Sequence, residues 1–297
     1  MRTRHAGPIA LVAASLLVLA ACSSGTGDDE EPTAPETGAD AEPTEVSFPA
    51  GSTMAQLHDA GSITIGTKFD QPLFGLVGPD GEPEGFDVEI GKIIATELGL
   101  DPATDIEWVE TISANRETFI ETGQVDLVIA TYTINDARKE KVSFAGPYYE
   151  AGQSILTLKS NTDIQGPDDL AGKKVCTASG STPEKNLLEN FPDTEVVPFG
   201  AYSDCIEPLR NGLVDALSTD NVILAGYAAT NDDLEVRGEP FTTEPYGIGL
   251  KKDDTEFRMW INDVLEESFE DGRWVEAWEA TAGTVLPTPE PPTVDRY

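Results

Sequence analysis

Between Ser62 and Asp220 the apolar residues change period repeatedly, from two to nearly four and back. SITIGTKF alternates as a strand does, and GFDVEIGKIIATELGL carries Val88, Ile90, Ile93, Ile94 and Leu98 as a helical stripe that Gly99 ends. IEWVETI reads as a strand, NRETFIETG as a helix with a glycine stop, and VDLVIAT as a continuously apolar strand of the kind buried on both faces of a parallel sheet. After the long segment GQSILTLKSNTDI a second series begins. DDLAGKKVCTA supplies a short helix and strand, TPEKNLLENF a helix, TEVVPF a strand, SDCIEPLRNGL a helix and VDALSTD a strand. YGIGLKKDD is a late strand, and a final helix runs from Thr255 to about Glu279 with Phe257, Ile261, Val264, Leu265, Phe269, Trp274 and Trp278 on it.

Two α/β series joined by an exchange strand, with a late return, predict an α/β protein of two lobes with two connecting segments and a cleft between them. The expected bounds are 52–156 with 243–283 for lobe 1 and 157–242 for lobe 2, hinged near Ser154 to Leu158 and Phe241 to Gly249. Ligands of open parallel sheets bind beyond the carboxyl ends of the strands, so the residues after TIGT, VIAT, CTAS and LSTD are the first candidates for chemistry.

The flanks differ in kind. Residues 1–21 have Arg2 and Arg4, then an apolar run from Ile9 to Ala21, too short for the roughly 20 residues a permanent span needs, and read as an export signal. Leu19-Ala20-Ala21-Cys22 resembles the bacterial lipobox, which implies cleavage before Cys22 and lipidation of its thiol; the other reading is an ordinary secretory signal with a chance cysteine. Residues 22–51 are rich in Gly, Pro, Thr and acids and contain no Lys or Arg, a composition expected to remain an extended, disordered linker. Residues 284–297 are a Pro-rich tail without periodicity.

Fifty-four acids against 19 bases give a formal charge of −35, which argues against nucleic acid or an anionic lipid surface as a partner. Apart from Cys22, the cysteines are Cys176 and Cys205, an even pair in an oxidising compartment, so a disulfide is expected, with two buried free thiols as the alternative. Once the signal is removed His58 is the sole histidine, so neither a metal site nor a cofactor is indicated.

The runs GEPEGFDVEIGKIIATELG, DLVIATYTINDARKEKVSFAGPYY, LAGKKVCTASGSTPEKNL and GLVDALSTD, in that order from about Ser62 to Trp278, resemble the polar amino-acid branch of bacterial extracellular solute-binding proteins that feed ABC importers. That resemblance implies a periplasmic-binding-protein fold of type II topology that closes around one amino acid, is usually monomeric, and catalyses nothing. It also implies roles. Arg138 grips the ligand α-carboxylate, for which a planar guanidinium fork suits better than lysine, and Asp220 pairs with the α-ammonium. Thr131, Thr133, Ser181 and Thr182 add donors to the carboxylate, Thr182 near a helix start. Taken alone, Arg138 would read as a solvated charge beside Lys139 and Lys141.

In family members that take acidic amino acids, a TS-x-NR pattern and a base after the first strand hold the side-chain carboxylate; here ISANR supplies Ser113 and Arg116, and GTKFDQP supplies Lys68. Arg116 also has a plainer reading, a surface pairing with Glu117 or Glu121. Phe69 and Tyr202 are candidate pocket-lining residues or simple filler. The expected function is an extracytoplasmic lipoprotein that is anchored to the cell membrane, binds L-glutamate with aspartate and glutamine still open, and passes it to an ABC permease and its ATPase. A lipoprotein that reports an amino acid to a membrane kinase is the alternative, and a dehydratase-like enzyme a remote one, since no histidine lies near a cleft motif and no Gly-x-Ser-x-Gly elbow is present.

Overall fold

The computed structural model describes residues 46–79 and 81–297. The signal, Cys22 and most of the expected linker therefore lie outside the described residues. Helix α1 (Thr53–Ala60) starts where the Ser52 hydroxyl accepts from the Ala55 N–H and stops at Gly61. Strand β1 (Ile63–Thr67) follows, then a small antiparallel sheet of β2 (Asp70–Gln71), β3 (Gly75–Val77) and β4 (Pro83–Glu84). The series continues with α2 (Phe86–Glu97), β5 (Ile106–Glu110), α3 (Arg116–Glu121), β6 (Leu127–Val128), α4 (Asp136–Lys139) and β7 (Ser143–Ala151).

The second series holds β8 (Gln153–Leu158), β9 (Lys174–Ala178), α5 (Thr182–Asn190), β10 (Glu195–Phe199), α6 (Ile206–Arg210), β11 (Ala216–Asp220), α7 (Asn221–Thr230) and β12 (Leu234–Arg237). The return is β13 (Glu244–Leu250), α8 (Thr255–Asp271) and α9 (Arg273–Ala280). Two five-stranded sheets result, in the orders β5-β1-β6-β13-β7 and β10-β9-β11-β8-β12. In the first, β1 runs parallel to β5 and β6, and β13 antiparallel to β6 and β7; in the second, β9 runs parallel to β10 and β11, and β8 antiparallel to β11 and β12. The α/β architecture is two-lobed, as the alternation of patterns predicts.

The first crossing is shorter than expected. All of β8 pairs in the second sheet, so residues 154–158 belong to lobe 2 and the chain crosses at Gly152; the return crossing occupies 238–243. The crossings touch: a Cβ on Gly152 would stand 2.5 Å from the Thr242 carbonyl oxygen. Apolar runs mark strands but not the sheet to which they pair, so the expected bound at 156 and the hinge at 154–158 move to Gly152.

Three further differences concern the flanks. The final helix is two, because Gly272 adopts φ 94° and ends α8. Phe48, inside the expected linker, packs edge-on against Trp260 at 5.7 Å. Residues 287–297 form no helix or strand, yet Val294 is buried, the Asp295 N–H donates to the Gly146 carbonyl (2.8 Å) and the Phe144 N–H donates to the Tyr297 hydroxyl (2.9 Å), so the tail covers the open edge of β7.

Lobe 1 is filled by aromatic rings. Trp274 and Trp278 stack at 6.1 Å, Tyr149 stacks on Trp278 at 4.9 Å, and Phe86 meets Trp278 edge-on at 5.1 Å. Such pairs add about 0.5–1.5 kcal/mol each to their burial. In lobe 2, Cys176 of β9 and Cys205 just before α6 are joined as a disulfide with Cα atoms 5.8 Å apart.

Candidate functional site

The carboxyl ends of the two sets of parallel strands face each other, and nearly every residue singled out from sequence lies there. Lys68 follows β1, Ser113 and Arg116 follow β5, Thr131 and Thr133 follow β6, Ser181 and Thr182 follow β9, Tyr202 follows β10, and Asp220 ends β11. All of these are buried except Thr182, which is half-buried. Phe69 is half-buried as well; its backbone carbonyl accepts from Val77 of β3, and no hydrogen bond among the described residues ties it to the cluster.

Lobe 1 contributes three cationic groups. Lys68 Nζ donates to Ser113 Oγ (3.0 Å), and burial, reinforced by the nearby Arg116 guanidinium, pulls its ammonium down to about 7. Among the described residues Arg116 pairs with no acid. Its Nε donates to the Ser113 carbonyl (3.3 Å) and its Nη1 to the carbonyls of Ala130 (3.1 Å) and Thr131 (3.3 Å). Arg138 is likewise buried rather than solvated. Asn135 caps α4 by accepting from the Arg138 N–H (3.0 Å), and the guanidinium donates to the Thr133 carbonyl (2.7 Å) and sits 3.3 Å from Glu117 Oε1. Burial first, then Arg116, lowers it to about 10.

The ring of Tyr132 lies against both arginines, with guanidinium carbons 4.2 Å and 4.9 Å from its centroid. Cation–π contact of this kind adds to the carbonyl acceptors and to Glu117 in offsetting the closeness of the two like charges. Thr131 carries φ 44°, and this left-handed backbone is pinned from below: Asp87 Oδ2 accepts its N–H (2.7 Å) while Asp87 Oδ1 accepts from the Tyr148 hydroxyl (2.6 Å). Burial pushes the Asp87 carboxyl up to about 7. Thr131 Oγ1 donates to Gln71 Oε1 (3.0 Å), which leaves Gln71 Nε2 buried with no partner.

Lobe 2 contributes an acid and a helix start. The Ser181 hydroxyl caps α5 by accepting from the Glu184 N–H (3.1 Å). Asp220 Oδ2 accepts from the Tyr246 hydroxyl (2.6 Å), whereas Oδ1 is buried and unpaired. Burial, and the neighbouring Glu244 after it, raise this carboxyl to about 7. Tyr202 is buried against Ser181 and Thr219, and burial raises its phenol.

The lobes meet directly. Arg138 Nη2 donates to the Gly180 carbonyl (3.3 Å), Thr133 and Thr182 hydroxyls lie 3.3 Å apart, and the Tyr227 hydroxyl donates to the Asp70 carbonyl (3.0 Å). Gly180 has φ 76°, and a Cβ there would lie 2.8 Å from Ala114 Cα across the cleft. The sequence reading passed over Asp87, Gln71, Tyr132 and Tyr246. The first two stand inside the motifs GFD and DQP, but their role depends on Thr131, which is distant from both in sequence.

A family model described as bacterial extracellular solute-binding proteins, family 3, matches residues 63–280. The chain belongs to this family. Family 3 solute-binding proteins are extracytoplasmic, and they bind solutes rather than transform them. A relative from Corynebacterium efficiens, glutamate-binding protein GluB, is 41% identical over 232 residues, covering 75% of this chain and 79% of that protein. The ABC transporter glutamine-binding protein GlnH of Bacillus subtilis is 39% identical over 229 residues, 76% of this chain and 83% of the relative. Among solved structures, the solute receptor for L-cysteine of Neisseria gonorrhoeae superposes with a TM-score of 0.75 at 30% identity, over 80% of this chain and 96% of that one. Its lobes are of the type II periplasmic amino-acid-binding class. The buried charges converge between the strand ends of the two lobes, the region where ligands of open α/β sheets bind.

Proposed function

We propose that this chain is the substrate-binding lipoprotein of an ABC amino-acid importer, and that it takes L-glutamate, with aspartate or glutamine as lesser ligands, by closure of the two lobes. The observation that carries this reading is the separation of charge in the cleft: Lys68, Arg116 and Arg138 on one lobe and the unpaired Asp220 Oδ1 on the other. A buried carboxylate oxygen without a donor is costly, and an ammonium group would satisfy it. Arg138, with the Thr133, Ser181 and Thr182 hydroxyls and the start of α5, suits the α-carboxylate. Lys68 and Arg116, two further bases in a chain with 19 against 54 acids, suit a second carboxylate. The names of the Corynebacterium and Bacillus relatives support the same pair of ligands, glutamate and glutamine.

Closure about Gly152 and 238–243 would let the ligand bridge both lobes and shift the population toward the closed form, which a permease and its ATPase then engage. Lipidation at Cys22 would hold this monomer at the membrane, with residues 23–45 as part of the spacer. The test is calorimetric titration of the full-length chain with L-glutamate, L-aspartate, L-glutamine and L-arginine in one buffer. Tight binding of glutamate, alone or with aspartate, is expected. Preference for glutamine would keep the amino-acid receptor but remove Lys68 and Arg116 from the ligand, and silence from all four would overturn the reading.

A further inference from the structure

Among the described residues one acid besides Asp220 is buried with an unpaired side-chain oxygen. Glu244 opens β13 at the return crossing; Oε1 accepts from the Thr242 hydroxyl (2.9 Å), and Oε2 has no partner. Glu244 pairs with Ala151 and Tyr246 with Tyr149 in one uninterrupted register, so the two side chains leave the same face of the strand. From that face the Tyr246 hydroxyl reaches Asp220 Oδ2. On the far side of the crossing, Asp220 pairs with Gln153, two positions along the same chain from Ala151. The carboxyls of Glu244 and Asp220 thus flank the crossing strand from opposite lobes, each with one open oxygen, and among the described residues neither takes part in an ion pair.

We propose that Glu244 and Asp220 together form a two-carboxylate subsite for the ligand's ammonium group, with Glu244 supplied by the hinge strand of lobe 1 and Asp220 by lobe 2. The inference rests on the amino-acid reading above and adds a residue that reading does not use. An ammonium has three donors, and one open carboxylate oxygen from each lobe gives two of them acceptors. Because the acids belong to different lobes, the ligand's positive end would itself draw the cleft shut. The influence of Glu244 on Asp220 accords with this placement, since Glu244 is the largest charge contribution that raises the Asp220 carboxyl. The groups around Glu244 are Tyr246 on its own strand, Asp220 of β11, Arg138 and Asp136 of α4, and Lys185 and Glu189 of α5, the last three across an open cavity of about 440 Å³ that Glu244 also lines.

The experiment compares L-glutamate with glutarate, which has both carboxylates and no ammonium, on the full-length chain at pH 8, for the wild type, Glu244→Gln and Thr242→Val. Glutamine at 244 keeps an oxygen for the Thr242 hydroxyl and removes the charge, whereas valine at 242 removes the hydrogen bonds at the crossing and leaves the charge. The wild type is expected to prefer glutamate strongly. Glu244→Gln should shrink that preference about tenfold while glutarate affinity holds or rises, and Thr242→Val should change both ligands alike. As a second readout, the fall in glutamate affinity on the acid side should move to lower pH in Glu244→Gln, because Asp220 loses a like charge beside it. A glutamate-to-glutarate ratio within twofold of wild type in Glu244→Gln would overturn the subsite. Failure of the wild type itself to bind any amino acid would instead overturn the amino-acid reading.

Discussion

The two halves of the cleft are built on the same plan and prepared to different degrees. In lobe 1 the guanidinium groups are already braced, Arg116 by three carbonyl contacts and Arg138 by the Thr133 carbonyl and Glu117, and the backbone of neighbouring Thr131 is held by Asp87 beneath it. In lobe 2 the acid of the site keeps an open oxygen, and α5 begins with hydroxyls. A guanidinium brings five donors and can satisfy the protein while holding some in reserve, whereas a buried carboxylate oxygen facing a cleft must wait for a donor. On the reading proposed above, a carboxylate would meet cations that the protein already braces, and an ammonium would complete a carboxylate that the protein leaves open.

The sharpest way to break that asymmetry is Arg138→Ala. Loss of a buried, hydrogen-bonded charge should weaken every amino acid by about 2 to 5 kcal/mol, seen as loss of the calorimetric signal for glutamate and glutamine alike. Preserved binding would move the α-carboxylate elsewhere. The stability of the lobes can be separated next. Replacing Cys176 and Cys205 by serine should cost about 2 to 4 kcal/mol, read as a lower denaturant midpoint, and amide exchange should rise in β9 and α6 while the aromatic core of lobe 1 stays protected. Uniform loss of protection would mean that the lobes unfold as one.

A smaller effect sharpens the specificity of the prepared half. Lys68→Met removes a charge whose described hydrogen bond is to a hydroxyl, and should cut the preference for glutamate over glutamine about tenfold. It is a cleaner probe than Arg116→Ala, which would also strand the carbonyls of Ala130 and Thr131 at roughly 1–3 kcal/mol. A further test, which reaches both lobes at once, is pH. Asp220, raised to about 7, must be ionised to meet an ammonium, so affinity should fall as pH drops below 7; Lys68, lowered to about 7, must be protonated to meet a carboxylate, so affinity should also fall as pH rises above 7. Calorimetry from pH 5 to 9 should give a maximum near neutrality, and each limb should approach tenfold per pH unit. A flat profile would mean that neither group touches the ligand.

Much of this was legible in the chain. The order of strands and helices, the two-lobed class and the position of the candidates after the strands all follow from period and punctuation, because those signals are local. Gly272 was legible too, as a glycine in EDGRW, but the apolar stripe running through it concealed the helix break. Pairing partners were not legible. The sheet to which β8 belongs, and with it the crossing at Gly152, depends on which distant strands offer free edges.

Within the site the same division holds. The resemblance of the motifs to the family marked Arg138, Asp220, Arg116 and Lys68, whereas residue type alone left Arg138 a solvated charge and Arg116 a surface pair. It gave no means of seeing that Arg116 is held by backbone carbonyls, that Tyr132 lies against two guanidinium groups, or that Glu244 and Tyr246 share a face beside Asp220. What the sequence determined by itself is the inventory of charges and the strand ends that carry them, because both are set by neighbours in the chain. Which of those charges are satisfied and which are left open was decided by the tertiary structure alone, because hydrogen bonding inside a cleft joins residues that the chain keeps far apart.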